Sequence, residues 1–200
     1  MRDLNDLSYG DWVDFIFNHP VTSIQSAWHF EIEGEYVCKA EKLIDNMTVL
    51  FQNTSHLSSQ YSLEQIEQGF WFIPGSNGFI WAILSPEVSI QKRYRCIDSI
   101  TFLFSELFCK YSELNTVSYM WWDSIFSYCA LESRNLSNEF KVLDRIALAI
   151  SKLLNTDCEV SKQSAEHGLE HIIKIFKITY STNIRNIIAS NFGVEVLSRL

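Results

Sequence analysis

The sequence predicts an all-α fold, a stack of antiparallel helices, and three observations carry that expectation. The 200 residues include only 7 Gly and 3 Pro, and chains built from strands and tight turns consume both. Hydrophobic residues make up 47% and charged residues 20%, the balance of a chain that buries a core. Several segments repeat apolar residues at i, i+3 and i+4, the spacing of a helix with one buried face. On length, the chain reads as one helical domain over 1–200, with an acidic N-terminal part at 1–67 and a helical-hairpin stack at 85–200.

The elements follow in order. Ser8 followed by Asp11 is a helix-start pattern, with Trp12, Phe15 and Ile16 at helical spacing and Pro20 just past the end. Residues 20–35 lack a period and are read as a loop. A helix is expected from Tyr36 to Phe51, with Leu43, Met47 and Leu50 inward, and Gln52–Gln60 is read as polar loop. Ser62 with Gln65 forms a capping box ahead of Ile66, Phe70 and Ile73, and Pro74-Gly75 ends that helix. Asn77-Gly78 marks a turn. Ser85-Pro86-Glu87 is read as the next helix start, because proline suits the first helical position.

The clearest stripe follows: Ile97, Ile100, Leu103, Phe104, Leu107, Phe108 and Tyr111. Further helices are expected over Ser118–Leu131, Ser137–Leu154, Ala165–Thr179 and Thr182–Leu200. The third stripe from the end runs through Phe140, Leu143, Ile146, Ala147, Ile150 and Leu153. These apolar stripes with short loops, and Asp144-Arg145 within FKVLDRIALAI, resemble HEAT or armadillo-type repeats over about half the chain. The resemblance implies an α-α superhelix that binds macromolecules on a concave face, and it implies no reaction.

The net charge of −8 is concentrated in the first third, where residues 1–67 carry eleven acidic and only three basic residues. Such a face repels nucleic acid and attracts basic partners. The first functional expectation is therefore a non-enzymatic protein–protein interaction module that binds a basic protein. One form would be a bacterial immunity-type or adaptor protein blocking a cationic toxin or enzyme. Trp28 with Glu31, Glu33 and Glu35 forms the expected contact patch, an aromatic anchor beside carboxylates. The plainer alternative is an acidic surface that serves solubility alone.

A second expectation rests on His167-Gly168-Leu169-Glu170-His171, which matches H-x-x-E-H. Two histidines four apart share a helix face, and Glu170 is the residue placed to polarise a metal-bound water, so His167, Glu170 and His171 define a metal-dependent hydrolase. A third ligand is needed, and downstream only Glu195 is acidic. The structural alternative is a histidine pair held in helix contacts, with Gly168 marking close packing. No cofactor is expected under the first reading, and no catalytic residue is assigned. G-x-S-x-G and G-x-G-x-x-G are both absent.

The five cysteines are scattered with no C-x-x-C pair, which reads as reduced thiols in a cytoplasm rather than a disulfide scaffold. MRDLNDLSYGDW holds no apolar stretch of leader length. The longest apolar run, GFIWAIL at 78–84, is far short of a membrane span, so no membrane association is expected. Of the tryptophans, Trp12, Trp71 and Trp81 are expected to pack. Trp121 and Trp122 are adjacent and cannot share a helix face, which points to one of them lying at a surface.

Overall fold

Ser8 begins the first helix, accepting a hydrogen bond from the Asp11 backbone N–H at 3.2 Å and donating its own hydroxyl to the Asp11 carboxylate at 2.6 Å. These bonds satisfy groups that a helix start leaves without partners. The computed structural model describes residues 2–21, 28, 36–132, 139–175, 186 and 189–190. Its helices are α1 (Tyr9–Phe17), α2 (Ala40–Gln52), α3 (Leu63–Phe72), α4 (Ile90–Leu103), α5 (Asn115–Tyr119), α6 (Trp121–Glu132), α7 (Glu139–Leu154) and α8 (Glu159–Ile175). The fold is all-α. Two short strands, β1 (Arg2–Asp3) and β2 (Tyr36–Val37), pair in parallel with Arg2 opposite Tyr36.

The local signals at Ser62 hold in full. The Gln65 N–H donates to Ser62 Oγ at 3.2 Å, and the Ser62 N–H donates to Gln65 Oε1 at 3.0 Å, closing the capping box. Elsewhere the boundaries move. The helix expected from Tyr36 begins at Ala40, because Tyr36 and Val37 are drawn into the strand pair. The helix expected at Ser85 begins at Ile90 instead. Residues 85–88 form a turn closed by Val88 N–H to the Ser85 carbonyl, and Ser89 supplies the cap to Lys92. The segment read as one helix over 118–131 is divided at Met120 into α5 and α6. The helix expected at Ala165 starts six residues earlier, at Glu159.

After α4 the chain widens into a π-helical turn over Phe104–Phe108, where the Cys109 N–H reaches back five residues to the Phe104 carbonyl at 2.9 Å. Phe104, Leu107 and Phe108 are all turned inward there. One continuous buried apolar cluster runs from Leu4 to Ile172. Its N-terminal part is aromatic: Trp12, Phe15, Trp28, Phe72 and Phe79 pack edge-on, tilted or stacked upon one another. The turn at Gly78 closes this part, since a Cβ there would stand 1.8 Å from the Phe72 carbonyl oxygen. Only glycine lets the backbone pass so close.

Among the helices, α2 packs on α4, α4 on α7, α7 on α8, and α8 on α5 and α6. The expected inner stripe of α7 is observed at Leu143, Ile146, Ala147, Ile150 and Leu153, all buried. Asp98 of α4 pairs with Arg145 of α7, and the Arg145 guanidinium lies over the Tyr94 ring at 5.3 Å. Both Trp121 and Trp122 are buried, which corrects the expectation that one faces outward. The first turn of α6 is covered on two sides. Trp121 meets Phe51, Phe70 and Phe108, whereas Trp122 stacks on Phe104. Among the described residues no helix is long and apolar enough to cross a membrane.

Cys109 and Cys158 form a disulfide across a sequence separation of 49 residues. The scattered spacing gave no sign of it, because the topology, rather than any local motif, brings the end of the π turn against the start of α8. Cys38 and Cys96 are free thiols, and the expectation of unpaired cysteines is overturned at Cys109 and Cys158.

Candidate metal centre

Helix α8 carries an inward row of small residues that lets it approach its neighbours closely. Ser161 Oγ lies 3.0 Å from Cys109 Sγ. Ser164 donates its hydroxyl to the Ser118 carbonyl at 2.6 Å, and Gly168 faces Trp122. A Cβ on residue 168 would stand 2.8 Å from the Trp122 indole. Close approach fixes the height of α8 over the first turn of α6, and the next residue after Trp122 is Asp123.

His167 and His171 lie four apart on α8 and so project to one side. Both direct Nε2 toward Asp123. Oδ1 of Asp123 lies 3.0 Å from His167 Nε2 and 2.8 Å from His171 Nε2. His167 also hydrogen-bonds Asp123 Oδ2 at 3.1 Å. The Oδ1 atom is withdrawn from solvent, yet neither imidazole meets it in hydrogen-bonding geometry. A buried carboxylate oxygen is thus crowded by two nitrogen atoms without being satisfied by them, which is costly unless something further is shared.

The three side chains are mostly withdrawn from water, with 17% of Asp123, 17% of His167 and 24% of His171 exposed. Their ligand atoms all lie within 4.8 Å of one another. The Tyr119 ring stacks on His167 at 4.2 Å between centroids, with 16° between planes, and holds that imidazole from the outer side. Two imidazole nitrogens and one carboxylate oxygen form a donor set of intermediate softness, suited to zinc and neighbouring divalent transition ions. Three protein ligands leave a position for water or another ligand.

The structure therefore brings together two of the three residues that H-x-x-E-H singled out, and supplies a carboxylate the motif did not contain. Glu170 is exposed and lies outside the ligand group. Asp123 stands 44 residues upstream of His167, so a search downstream toward Glu195 could not find it. The available signal was a charged residue inside the otherwise apolar start of WWDSIFSYCAL.

The other expected patch is placed differently. Trp28 is 9% exposed and packs against Phe15 and Phe72, with the His19 imidazole stacked on it at 3.7 Å between centroids. It is a core residue rather than a surface anchor. Glu31, Glu33 and Glu35 lie outside the described residues. No family model, curated protein or solved structure matches the chain.

Proposed function

We propose that this chain is a divalent-metal-binding helical protein, with Asp123, His167 and His171 as ligands to a zinc-class ion. The observation that supports the reading most is the buried Asp123 Oδ1, which has two imidazole nitrogens beside it and no hydrogen bond from either. A cation among the three groups would take one lone pair from each and remove that conflict. Metal-assisted hydrolysis is the reaction class that such a three-ligand site serves. Glu170 is exposed and is not one of the three clustered ligand groups, so the proposal made for the chain is binding. Equilibrium dialysis against Zn2+ tests it, with one tightly bound ion per chain expected in wild type and none in the His167→Ala/His171→Ala variant.

A second reading, a module for a basic protein partner, keeps support from the surface. Asp3, Asp6, Asp11, Asp14, Glu41, Asp45 and Glu64 are all exposed. The HEAT-like resemblance agrees with a binding scaffold, and a cytoplasmic location goes with either reading. Charge reversal at Glu31, Glu33 and Glu35 should weaken a basic partner and remove the salt dependence of its binding. Unchanged affinity would set this reading aside.

A further inference from the structure

Helix α8 is joined to the rest of the protein at two places that act on the same contact. At its start, Cys158 is bonded to Cys109. Farther along, His167 and His171 meet Asp123 of α6. Between them, among the described residues, Ser161 lies at hydrogen-bonding distance from Cys109 Sγ and Ser164 donates to the Ser118 carbonyl, and beside the histidines Gly168 packs on Trp122. From Cys158 to His167 is nine residues, about two and a half turns, or roughly 14 Å along a helix. A helix is stiff over that distance, so a shift at its first turn reaches the histidines.

We infer that the Cys109–Cys158 bridge regulates metal affinity at the Asp123–His167–His171 site, binding being tight when the bridge is intact and weak when it is reduced. The inference rests on the metal-binding reading above. Reduction consumes two molecules of a small thiol such as glutathione. Their sulfurs leave as one oxidised disulfide, and their two hydrogens reside on Cys109 and Cys158. The sulfur–sulfur bond is lost, and the first turns of α8 then keep only noncovalent contacts.

Two effects follow. The intact bridge holds the ligand set in place before the ion arrives, which lowers the ordering cost of binding. By reciprocity, a bound ion that ties α8 to α6 favours the bridged form by the same factor. In a cytoplasm, disulfides that do form are usually transient and redox-sensing, which fits a bridge whose making and breaking alters a nearby site. Coupling between linked sites commonly spans about 5- to 150-fold, and the separation along one continuous helix places this pair near the lower end, at roughly tenfold.

The experiment is a Co2+ titration of the full chain, followed by the visible absorption of the bound ion. Three forms are compared: bridged wild type, wild type reduced and then freed of thiol by gel filtration under argon, and Cys109→Ser/Cys158→Ser. The last form has no thiol at these positions to ligate the ion. An affinity about tenfold weaker in both unbridged forms, with the helical circular dichroism retained, is the expected result. Equal affinity in all three overturns the inference and leaves the metal site standing. No binding by bridged wild type overturns the site itself. Unbridged forms that lose their helical signal also overturn the inference, because the bridge would then be a requirement of folding rather than a control on the site.

Discussion

Gly168 lies so close to Trp122 that a Cβ at residue 168 would stand 2.8 Å from the indole and 3.1 Å from Ile150 Cδ1. This contact is the hinge between packing and site, because it sets how near α8 comes to the helix that carries Asp123. A five-residue motif that looks like metal chemistry thus contains a residue chosen for helix approach. The two readings of the motif are compatible: the glycine brings the helices together, and the histidines use the resulting nearness.

Gly168→Ala is expected to destabilise the protein. Overpacking a filled core costs about 1–3 kcal/mol, while alanine returns about 1 kcal/mol of helix propensity, so the net loss should reach up to about 2 kcal/mol, and the 2.8 Å approach to the indole places it toward that upper end. Urea unfolding measures it. The same substitution should weaken metal binding as α8 is pushed away from Asp123. A variant as stable as wild type would mean that Trp122 can yield.

The ligand assignment separates Asp123 from Glu170. Asp123→Asn removes the anionic oxygen and should weaken Zn2+ binding at least tenfold, the scale seen when a ligand or its support is lost. Glu170→Gln should leave affinity within about twofold, because the residue is exposed and outside the ligand group. Calorimetric titration of the two variants side by side decides between the observed site and the set expected from H-x-x-E-H. The opposite ranking would restore the sequence motif.

Reduction of the bridge should lower global stability. A cross-link closing a loop of 49 residues restricts the unfolded chain by about 4 kcal/mol on the loop-entropy account. Denaturant midpoints of Cys109→Ser/Cys158→Ser and of wild type measure the difference. A midpoint unmoved by the substitution would show that the bridge contributes nothing to the global fold.

The His19 imidazole gives a pH dependence of known sign. Burial holds it below its ordinary 6.5, Arg2 adds to the lowering, and the hydrogen bond it donates to the Phe15 carbonyl works the other way. Between its lowered folded value and 6.5 the unfolded chain binds more protons, so stability rises with pH. The contribution is complete above 6.5 and is lost as pH falls through the folded value. Between pH 7.5 and pH 5, wild type should lose more stability than His19→Phe; equal losses would contradict the assignment.

The parts of the fold legible in the sequence are those fixed by near neighbours. Ser62 and Gln65 sit three apart and bond each other, and the stripe Leu143–Ile146–Ala147–Ile150–Leu153 faces one way because a helix has one period. Ser85 reads as a helix start from its proline, but residues 85–88 close a turn and the cap falls to Ser89, which that reading misses. Trp121 and Trp122 defeated a one-face argument, since α6 is covered on both sides there. Two of the three residues of the candidate site were legible, the histidine pair at i and i+4. Asp123 and the Cys109–Cys158 bridge were not, because each joins residues more than 40 positions apart through the tertiary fold.

Anomalous diffraction from crystals grown with Zn2+, recorded at the zinc edge, would locate a bound ion among Asp123, His167 and His171. One strong peak is expected, enclosed by His167 Nε2, His171 Nε2 and an Asp123 carboxylate oxygen, at about 2.0–2.2 Å from each. A map with no peak between these residues, in crystals where they are ordered, would contradict metal binding and leave Asp123, His167 and His171 as a purely structural cluster.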